Sequence, residues 1–241
     1  NITILIATLI CTLLNFSCKV DNLNNKEKAK EKFLQATSRL YETGGIAAFE
    51  VPQGQSVLEP SKEELSPAQI NQMLKESIKE LNEAIQLDST LKDVYYFLGV
   101  AYLKLQDIDK AIESFKKALE VEPQREITYY LLHGLLVDSK KFKEAHTVAE
   151  KFLKQFPQKE KNILNLIAIA YYKEGDYKNA IKIGKEMISI DDQRIEGHLT
   201  LAHSYYMLGD KESSEKEFRK VVELNPNMED EVKEMKGGLT D

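Results

Sequence analysis

The side chains best suited to catalysis or metal binding are few in this 241-residue sequence, and their spacing does not bring them together. Its four histidines are His133, His146, His198 and His203. Two histidines that bind one metal ion from a single helix are typically four residues apart, and no pair here has that spacing. Motifs such as G-x-S-x-G, G-x-G-x-x-G and G-x-x-x-x-G-K-[ST] do not occur either. We therefore predict no metal site, no cofactor and no enzymatic activity.

Composition and charge narrow the choice of partner. Hydrophobic residues make up 42% of the chain and charged residues 30%, which is typical of a folded globular protein. The formal net charge is −6, and no basic stripe offsets it. Binding to nucleic acid depends on attraction to phosphate, so we expect no nucleic-acid partner.

Residues 1–17 carry no charge and are mostly apolar, like the hydrophobic region of a secretory signal peptide. The end of this segment together with the next residue, LNFSC (Leu14–Cys18), resembles a bacterial lipoprotein processing site, with Leu14 one residue farther from the cysteine than is usual. The resemblance implies lipidation of Cys18, with residues 18–25 as a polar tether. The alternative is an uncleaved N-terminal anchor helix. Either interpretation predicts an exported, membrane-anchored protein of the bacterial periplasm or outer membrane.

A repeat of 34 or 35 residues organises the rest of the chain. One column of the repeat contains Ala111, Ala145, Ala180 and Ser214, and a second contains Tyr102, Leu136, Tyr171 and Tyr205. Apolar residues within each period follow helical spacing twice, with a break between the two segments. Each period is therefore predicted to be a helix-turn-helix hairpin that buries its apolar faces against its neighbours.

Helix boundaries also recur with the repeat. Asp107, Asp176 and Asp210 stand where the second helix of a hairpin begins, and a carboxylate there can accept hydrogen bonds from free backbone N–H groups. Pro123, the residue that follows the second helix of its hairpin, is expected to stop it. The glycine within the helical segment FLGVAYLK, Gly99, is expected to permit a close helix crossing at Ala111.

These columns are similar to those of the tetratricopeptide repeat. Residues 92–125 match that family best, through Tyr95, Leu98, Gly99, Tyr102, Ala111, Phe115, Ala118 and Pro123. Further repeats are predicted at 126–159, 161–194 and 195–228. In the second repeat His133 occupies the place of a small residue, with Gly134 beside it, which puts the close helix crossing in doubt or shifts the first helix by one residue. The resemblance implies an all-α, right-handed α-solenoid.

The flanking segments complete the predicted organisation. Residues 26–91 are interpreted as a degenerate hairpin with an inserted loop at 44–65, which is either a tolerated surface excursion or a functional arm. Ser66 is the expected N-cap of the second helix of that hairpin, with Gln69 completing a capping box. Residues 229–241 are expected to form a capping helix and a tail.

The resemblance places function on the concave face, which the first helix of each hairpin lines. Its columns carry over to Tyr96, Val100 and Leu103; Tyr130, Gly134 and Val137; Asn165, Ile169 and Tyr172; and Leu199, His203 and Tyr206. Tyr96, Tyr130 and Tyr206 are the favoured contact residues. For Leu103, Val137 and Ile169, a place in the core and a place in the groove remain equally open.

An apolar groove with several tyrosines suits a segment of another protein. We therefore predict a protein–protein interaction scaffold of the cell envelope, whose partner is another envelope protein or a peptide segment. The alternative is a lipoprotein that binds a small hydrophobic ligand beside a periplasmic transporter. A closed cavity would favour the small ligand, and an open groove would favour the protein segment.

Overall fold

The described part of the chain is almost entirely α-helical. The computed structural model describes residues 2–43 and 65–238, with side chains from residue 21 onward except at positions 160, 162 and 238. The described helices are α1 (Ile2–Glu42), α2 (Pro67–Leu87), α3 (Val94–Lys104), α4 (Ile108–Val121), α5 (Glu126–Asp138), α6 (Phe142–Gln155), α7 (Glu160–Glu174), α8 (Tyr177–Ile190), α9 (Ile195–Met207), α10 (Lys211–Leu224) and α11 (Glu229–Gly238). The predicted all-α fold of helical hairpins is confirmed.

The helices form two compact units, Asn1–Pro123 and Gln124–Asp241. In the first unit α1 and α2 pack along a seam in which buried residues recur every three or four positions. The buried residues are Ala29, Phe33, Ala36 and Leu40 on α1 and Leu74, Ser77, Leu81 and Ala84 on α2. Ion pairs from Lys32 to Glu83 and from Arg39 to Glu80 show that the two helices run antiparallel.

Side-chain caps begin several helices where the sequence predicted them. The carboxylates of Asp107, Asp176 and Asp210 accept hydrogen bonds from the backbone N–H three residues ahead, at 3.4, 3.1 and 3.1 Å. Ser66 and Gln69 form the predicted capping box at the start of α2. Each cap satisfies a backbone donor that the helix itself leaves free.

Gly99 is packed against the ring of Phe115, one turn after Ala111, where the close crossing was expected. A Cβ added to Gly99 would stand 2.7 Å from two ring carbons of Phe115, a side chain with no exposed surface. Ala111 is also fully buried, but the aromatic ring is what excludes a side chain on α3.

His133 is buried in α5 without a shift of the helix. Only 1% of its surface is exposed, whereas Gly134 is half-buried and has no atom within 4 Å of an added Cβ. In the second hairpin Ala149 takes the place that Phe115 holds in the first. The second hairpin thus has a large residue at the first-helix position and a small one at the second-helix position, the reverse of the residues at Gly99 and Phe115.

Glycines on both helices allow α8 and α9 to cross closely, a contact that the repeat pattern did not predict. A Cβ on Gly197 would lie 2.7 Å from Cγ2 of Ile188 and 3.4 Å from the carbonyl oxygen of Gly184. A Cβ on Gly184 would lie 3.0 Å from the side chain of Leu201. The two backbones approach so closely because both positions lack side chains.

The N-terminal predictions fall partly outside the described residues. Helix α1 runs without interruption through residues 18–25, the segment predicted to be a tether. The side chain of Cys18 and residues 44–64 of the predicted insertion lie outside the described residues, as do residues 239–241 of the tail. Of the helices in the described part, none is long and apolar enough to cross a membrane.

Candidate functional site

Helices α7 and α9 of the second unit border an open cleft of about 210 Å³. Each helix contributes one face, with lining residues spaced over two turns. The lining residues are Asn165, Ala168, Ile169 and Tyr172 on α7, and Glu196, Leu199, Thr200 and His203 on α9. The cleft therefore lies between the first helices of the third and fourth repeats, where the sequence placed the groove.

The chemistry of the cleft changes along its length. At one end the rings of Tyr172 and His203 are 6.1 Å apart, centroid to centroid. Asn165 and Glu196 lie two turns earlier on their helices, about 10 Å away along the axis. Aliphatic side chains fill the middle, where Ile169 is 38% exposed. The cleft thus has an aromatic end, an apolar floor and a polar end.

Both rings at the aromatic end are neutral near pH 7. Burial lowers the pKa of His203 from its ordinary value. Burial also raises the pKa of Tyr172, with a smaller contribution from Tyr177. Glu196 is therefore the one formally charged group among the eight lining residues, and its side chain is 55% exposed.

The structure brings together five of the predicted groove residues. Asn165, Ile169, Tyr172, Leu199 and His203 all line the cleft. Ile169, for which core and groove remained open, has an exposed side chain in the cleft.

Other predicted groove residues of the second unit lie elsewhere. Tyr206 is half-buried on α9 and lies outside the cleft lining, one turn beyond His203. On α5 the ring of Tyr130 lies 5.3 Å from that of Phe152, and Val137 is only 4% exposed, so Val137 belongs to the core. Gly134 lies on the same helix and is half-buried.

The first unit holds the remaining predicted residues. Tyr96 is 6% exposed, and its ring contacts those of Phe97 and Phe115 at 5.3 and 5.9 Å. It is a core residue rather than the favoured contact that its column predicted, because the aromatic cluster of α3 and α4 encloses it. Val100 and Leu103 lie half-buried on α3.

The repeat columns missed Ala168, Glu196 and Thr200. Ile169 and His203 occupy equivalent positions in successive repeats. In the structure, however, the ring beside His203 is that of Tyr172, three residues after Ile169. The lining of α9 is thus displaced by almost one turn relative to α7. Consecutive hairpins of a repeat protein are rotated against one another, so equivalent positions do not stand at equal height. The available sequence signal for Glu196 was its position three residues before Leu199, which places the two residues on the same face of α9.

The histidines outside the cleft have structural surroundings. His198 is 6% exposed; its Nδ1 lies 2.6 Å from Oε2 of Glu217, and its Nε2 lies 3.2 Å from the carbonyl oxygen of Asp192. His146 stacks on Tyr171 at 4.2 Å. Among the residues whose positions are described, no group of three or more His, Cys, Asp or Glu side chains is arranged to hold a metal ion.

Two family models match the chain. The tetratricopeptide repeat model matches residues 93–125, and the model for anaphase-promoting complex, cyclosome, subunit 3 matches residues 138–221. A TPR repeat-containing protein of Methanocaldococcus jannaschii, MJ1428, is 28% identical over 130 residues, which are 52% of this chain and 22% of that protein. The signal recognition particle subunit SRP72 of Dictyostelium discoideum is 27% identical over 132 residues, 55% of this chain and 18% of that protein. The chain thus spans about a fifth of the length of these two relatives.

Solved structures show the same fold. MamA from Desulfovibrio magneticus RS-1 superposes with a TM-score of 0.54 at 22% identity, over 65% of this chain and 88% of that one. YrrB, described as a TPR protein with an unusual peptide-binding site, superposes with a TM-score of 0.53 at 18% identity, over 64% of this chain and 79% of that one. These likenesses confirm the predicted solenoid fold class.

Proposed function

Because the chain is a tetratricopeptide repeat protein, we propose that it is a non-enzymatic scaffold that binds a segment of another protein in the cleft between α7 and α9. The observation that carries this proposal is the convergence of Asn165, Ile169, Tyr172, Leu199 and His203 on one open cleft. Side chains selected only by their repeat columns meet there around apolar surface that faces solvent.

The size of the cleft favours a protein segment over a small hydrophobic ligand. Pockets that enclose small molecules usually measure about 300–1,000 Å³ and bury most of the ligand. The cleft measures about 210 Å³ and is open along the side of Ile169. A partner segment needs room for only one or two of its side chains, since the rest of it stays outside. Tyr172 can serve as an anchor, because a tyrosine ring packs against apolar side chains while its hydroxyl can form a hydrogen bond.

The comparisons support this proposal at the level of the fold. YrrB is described as having an unusual peptide-binding site. Repeat solenoids present extended surfaces for such partners. The position of the site in this chain rests on the cleft itself, because the likeness to YrrB is one of fold.

Export and anchoring form the second part of the proposal. We propose that the chain is tethered to the bacterial envelope through lipidated Cys18 and that its partner is another envelope protein. The support is the uncharged, mostly apolar segment 1–17 and the LNFSC motif that spans its end and Cys18.

Site-specific photocrosslinking tests the position of the site. A benzoylphenylalanine introduced in place of Ile169 should crosslink to a discrete partner in envelope fractions, and Leu199→Ser should abolish the product. The control carries the crosslinker in place of Glu234, which is exposed on α11. Equal crosslinking from position 234, or a product that persists in the Leu199→Ser background, contradicts the proposal.

A further inference from the structure

The charges around the polar end of the cleft are predominantly negative. Glu196 lines both the cleft and a neighbouring depression of about 380 Å³ at the start of α9. Asp191, in the turn before α9, lines the depression, and Asp192 follows it; both are exposed. Three exposed carboxylates therefore stand beside one exposed ammonium group lining the depression, that of Lys161.

Arg194 also lines the depression, but its guanidinium is bound within the fold. Its side chain is only 17% exposed, and its Nη1 donates a hydrogen bond of 2.8 Å to the carbonyl oxygen of Lys161. Its Nε lies 3.7 Å from Oε2 of Glu196, beyond hydrogen-bond distance. The two groups form a loose ion pair that leaves the Glu196 carboxylate accessible, since 55% of the Glu196 side chain stays exposed.

The other end of the cleft supplies no positive charge to a partner. Tyr172 and His203 form that end, and burial keeps the imidazole of His203 neutral near pH 7 by lowering its pKa. The cleft is thus electrically one-sided: a carboxylate at one end, an apolar floor, and neutral rings at the other end.

We propose that the occupant of this cleft is a protein segment in which a large apolar side chain lies close to a lysine or arginine. The inference rests on the proposed function and names the chemistry of the partner. The apolar side chain enters between Ile169 and Leu199, and the cation meets Glu196. An acidic segment is disfavoured, because its carboxylate would face Glu196 at an end of the cleft where exposed carboxylates outnumber the exposed ammonium group of Lys161.

Helix geometry fixes the spacing of the two recognition groups. Glu196 precedes Leu199 and Thr200 by three and four residues, which is about 5 Å along the axis of α9. Side chains two apart in an extended segment are separated by about 6.6 Å. Those three or four apart on a helix are separated by about 5–6 Å. The basic residue therefore stands two positions from the apolar anchor in an extended partner, or three to four positions away in a helical one.

The electrostatic contact is expected to select the partner more than to hold it. The apolar contact with Ile169 and Leu199 provides most of the affinity, whereas an exposed charge pair mainly excludes segments of the wrong sign and makes binding depend on salt. Removal of the Glu196 charge should therefore weaken binding about 3- to 10-fold, and loss of the apolar floor should weaken it more.

A random peptide library gives a direct test. Phage-displayed dodecapeptides are selected on the full-length chain in detergent, and enriched sequences are synthesised with a fluorescent label. Affinities are measured by anisotropy for the wild type, Ile169→Ser, Glu196→Gln, Glu196→Lys and the control Glu234→Lys, which changes the same kind of residue on exposed α11. Far-UV circular dichroism verifies that each variant is folded.

We expect the enriched peptides to carry an apolar residue with lysine or arginine at the stated spacing. Binding should weaken at least 10-fold with Ile169→Ser, 3- to 10-fold with Glu196→Gln, and not with Glu234→Lys. Glu196→Lys should prefer the same peptide with its basic residue changed to glutamate. One outcome would overturn this inference and leave the proposed function standing: the enriched peptides depend on Ile169, carry no basic residue, and bind the Glu196→Gln variant as tightly as the wild type. If no enriched peptide depends on Ile169, both fail.

Discussion

A methyl group on Gly99 would stand 2.7 Å from two ring carbons of Phe115, whose side chain is fully buried. Real Cβ atoms essentially never approach another heavy atom so closely. Alanine would otherwise be the better residue in this helix, by about 1 kcal/mol. The ring of Phe115, rather than any requirement of the backbone, therefore explains the glycine in α3.

Gly99→Ala is predicted to lower the free energy of unfolding. Overpacking of a full core costs about 1–3 kcal/mol, and the gain in helix propensity offsets about 1 kcal/mol of it. The expected net loss is up to about 2 kcal/mol, measured by chemical denaturation. The double variant with Phe115→Leu should show a favourable coupling energy, because the smaller side chain removes the overlap.

Gly134 provides the matched control for Gly99. It also lies within a helix, but an added Cβ would meet no atom within 4 Å. Gly134→Ala should therefore raise the free energy of unfolding by up to about 1 kcal/mol. Similar effects of the two substitutions would contradict the role assigned to Phe115.

Stability is predicted to fall between pH 7 and pH 4 because of His133. Burial first, and the nearby charge of His146 second, lower the pKa of His133 from 6.5 to about 4 in the folded chain. The unfolded chain, with the ordinary pKa, therefore binds a proton more readily. The stabilisation is complete above pH 6.5 and is lost as the pH falls toward 4. At pH 5 the loss is about 2 kcal/mol.

His133→Leu tests the assignment of this pH dependence. Neither ring nitrogen of His133 has a hydrogen-bond partner among the described residues, so leucine should stabilise the fold at pH 7.5 by about 1–3 kcal/mol. Denaturation at pH 7.5 and pH 5 should show the difference between the two pH values reduced by about 2 kcal/mol. His146→Gln is the control and should keep most of the difference, because burial is the larger cause.

The His198–Glu217 contact is predicted to stabilise the packing of α9 on α10. The 2.6 Å contact is almost out of solvent, with 7% of one side chain and 16% of the other exposed. Glu217→Ala leaves a buried imidazole without that partner, and removal of one member of a buried pair costs about 3–5 kcal/mol. We expect a loss of about 2–4 kcal/mol in chemical denaturation at pH 7, since the contact is not completely buried.

The His146–Glu174 contact serves as the comparison. The two groups lie 3.0 Å apart, but 39% of the Glu174 side chain is exposed. Glu174→Ala should cost less than about 1 kcal/mol, in keeping with other exposed pairs. An equal cost for the two glutamate substitutions would mean that burial does not determine the strength of the His198 contact.

Cys18 is predicted to be the site of lipid attachment. Cys18→Ser should give an unmodified precursor, because the thiol is the group that the lipid modifies. Metabolic labelling with a radioactive or alkyne-bearing fatty acid provides the measurement, with Cys11→Ser as the control that keeps its label. Label that persists in the Cys18→Ser protein would exclude this attachment site.

The features that the sequence predicted well are local ones. Helical periodicity and the caps at Asp107, Asp176 and Asp210 depend on residues within one or two turns, so they can be identified from spacing alone. Five residues of the cleft were found because the repeat columns identify which face of a first helix they occupy.

The features that were missed depend on contacts between distant parts of the chain. The columns show that Tyr96 and Tyr172 occupy similar faces, but not that an aromatic cluster encloses Tyr96 while Tyr172 faces a cleft. They also do not show the displacement of almost one turn that brings Glu196 into the lining. That displacement depends on the angle between successive hairpins, and the angle depends on the shapes of all the side chains between them.

The glycine crossing of α8 and α9 restricts how the sequence can vary. Within the first hairpin, the missing side chain of Gly99 makes room for the large ring of Phe115. Gly184 and Gly197 each lie against a side chain of the other helix: an added Cβ at position 184 would meet Leu201, and one at position 197 would meet Ile188. A larger residue at either glycine therefore requires a smaller one at Leu201 or Ile188, so homologous chains that keep this crossing should change these positions together or not at all.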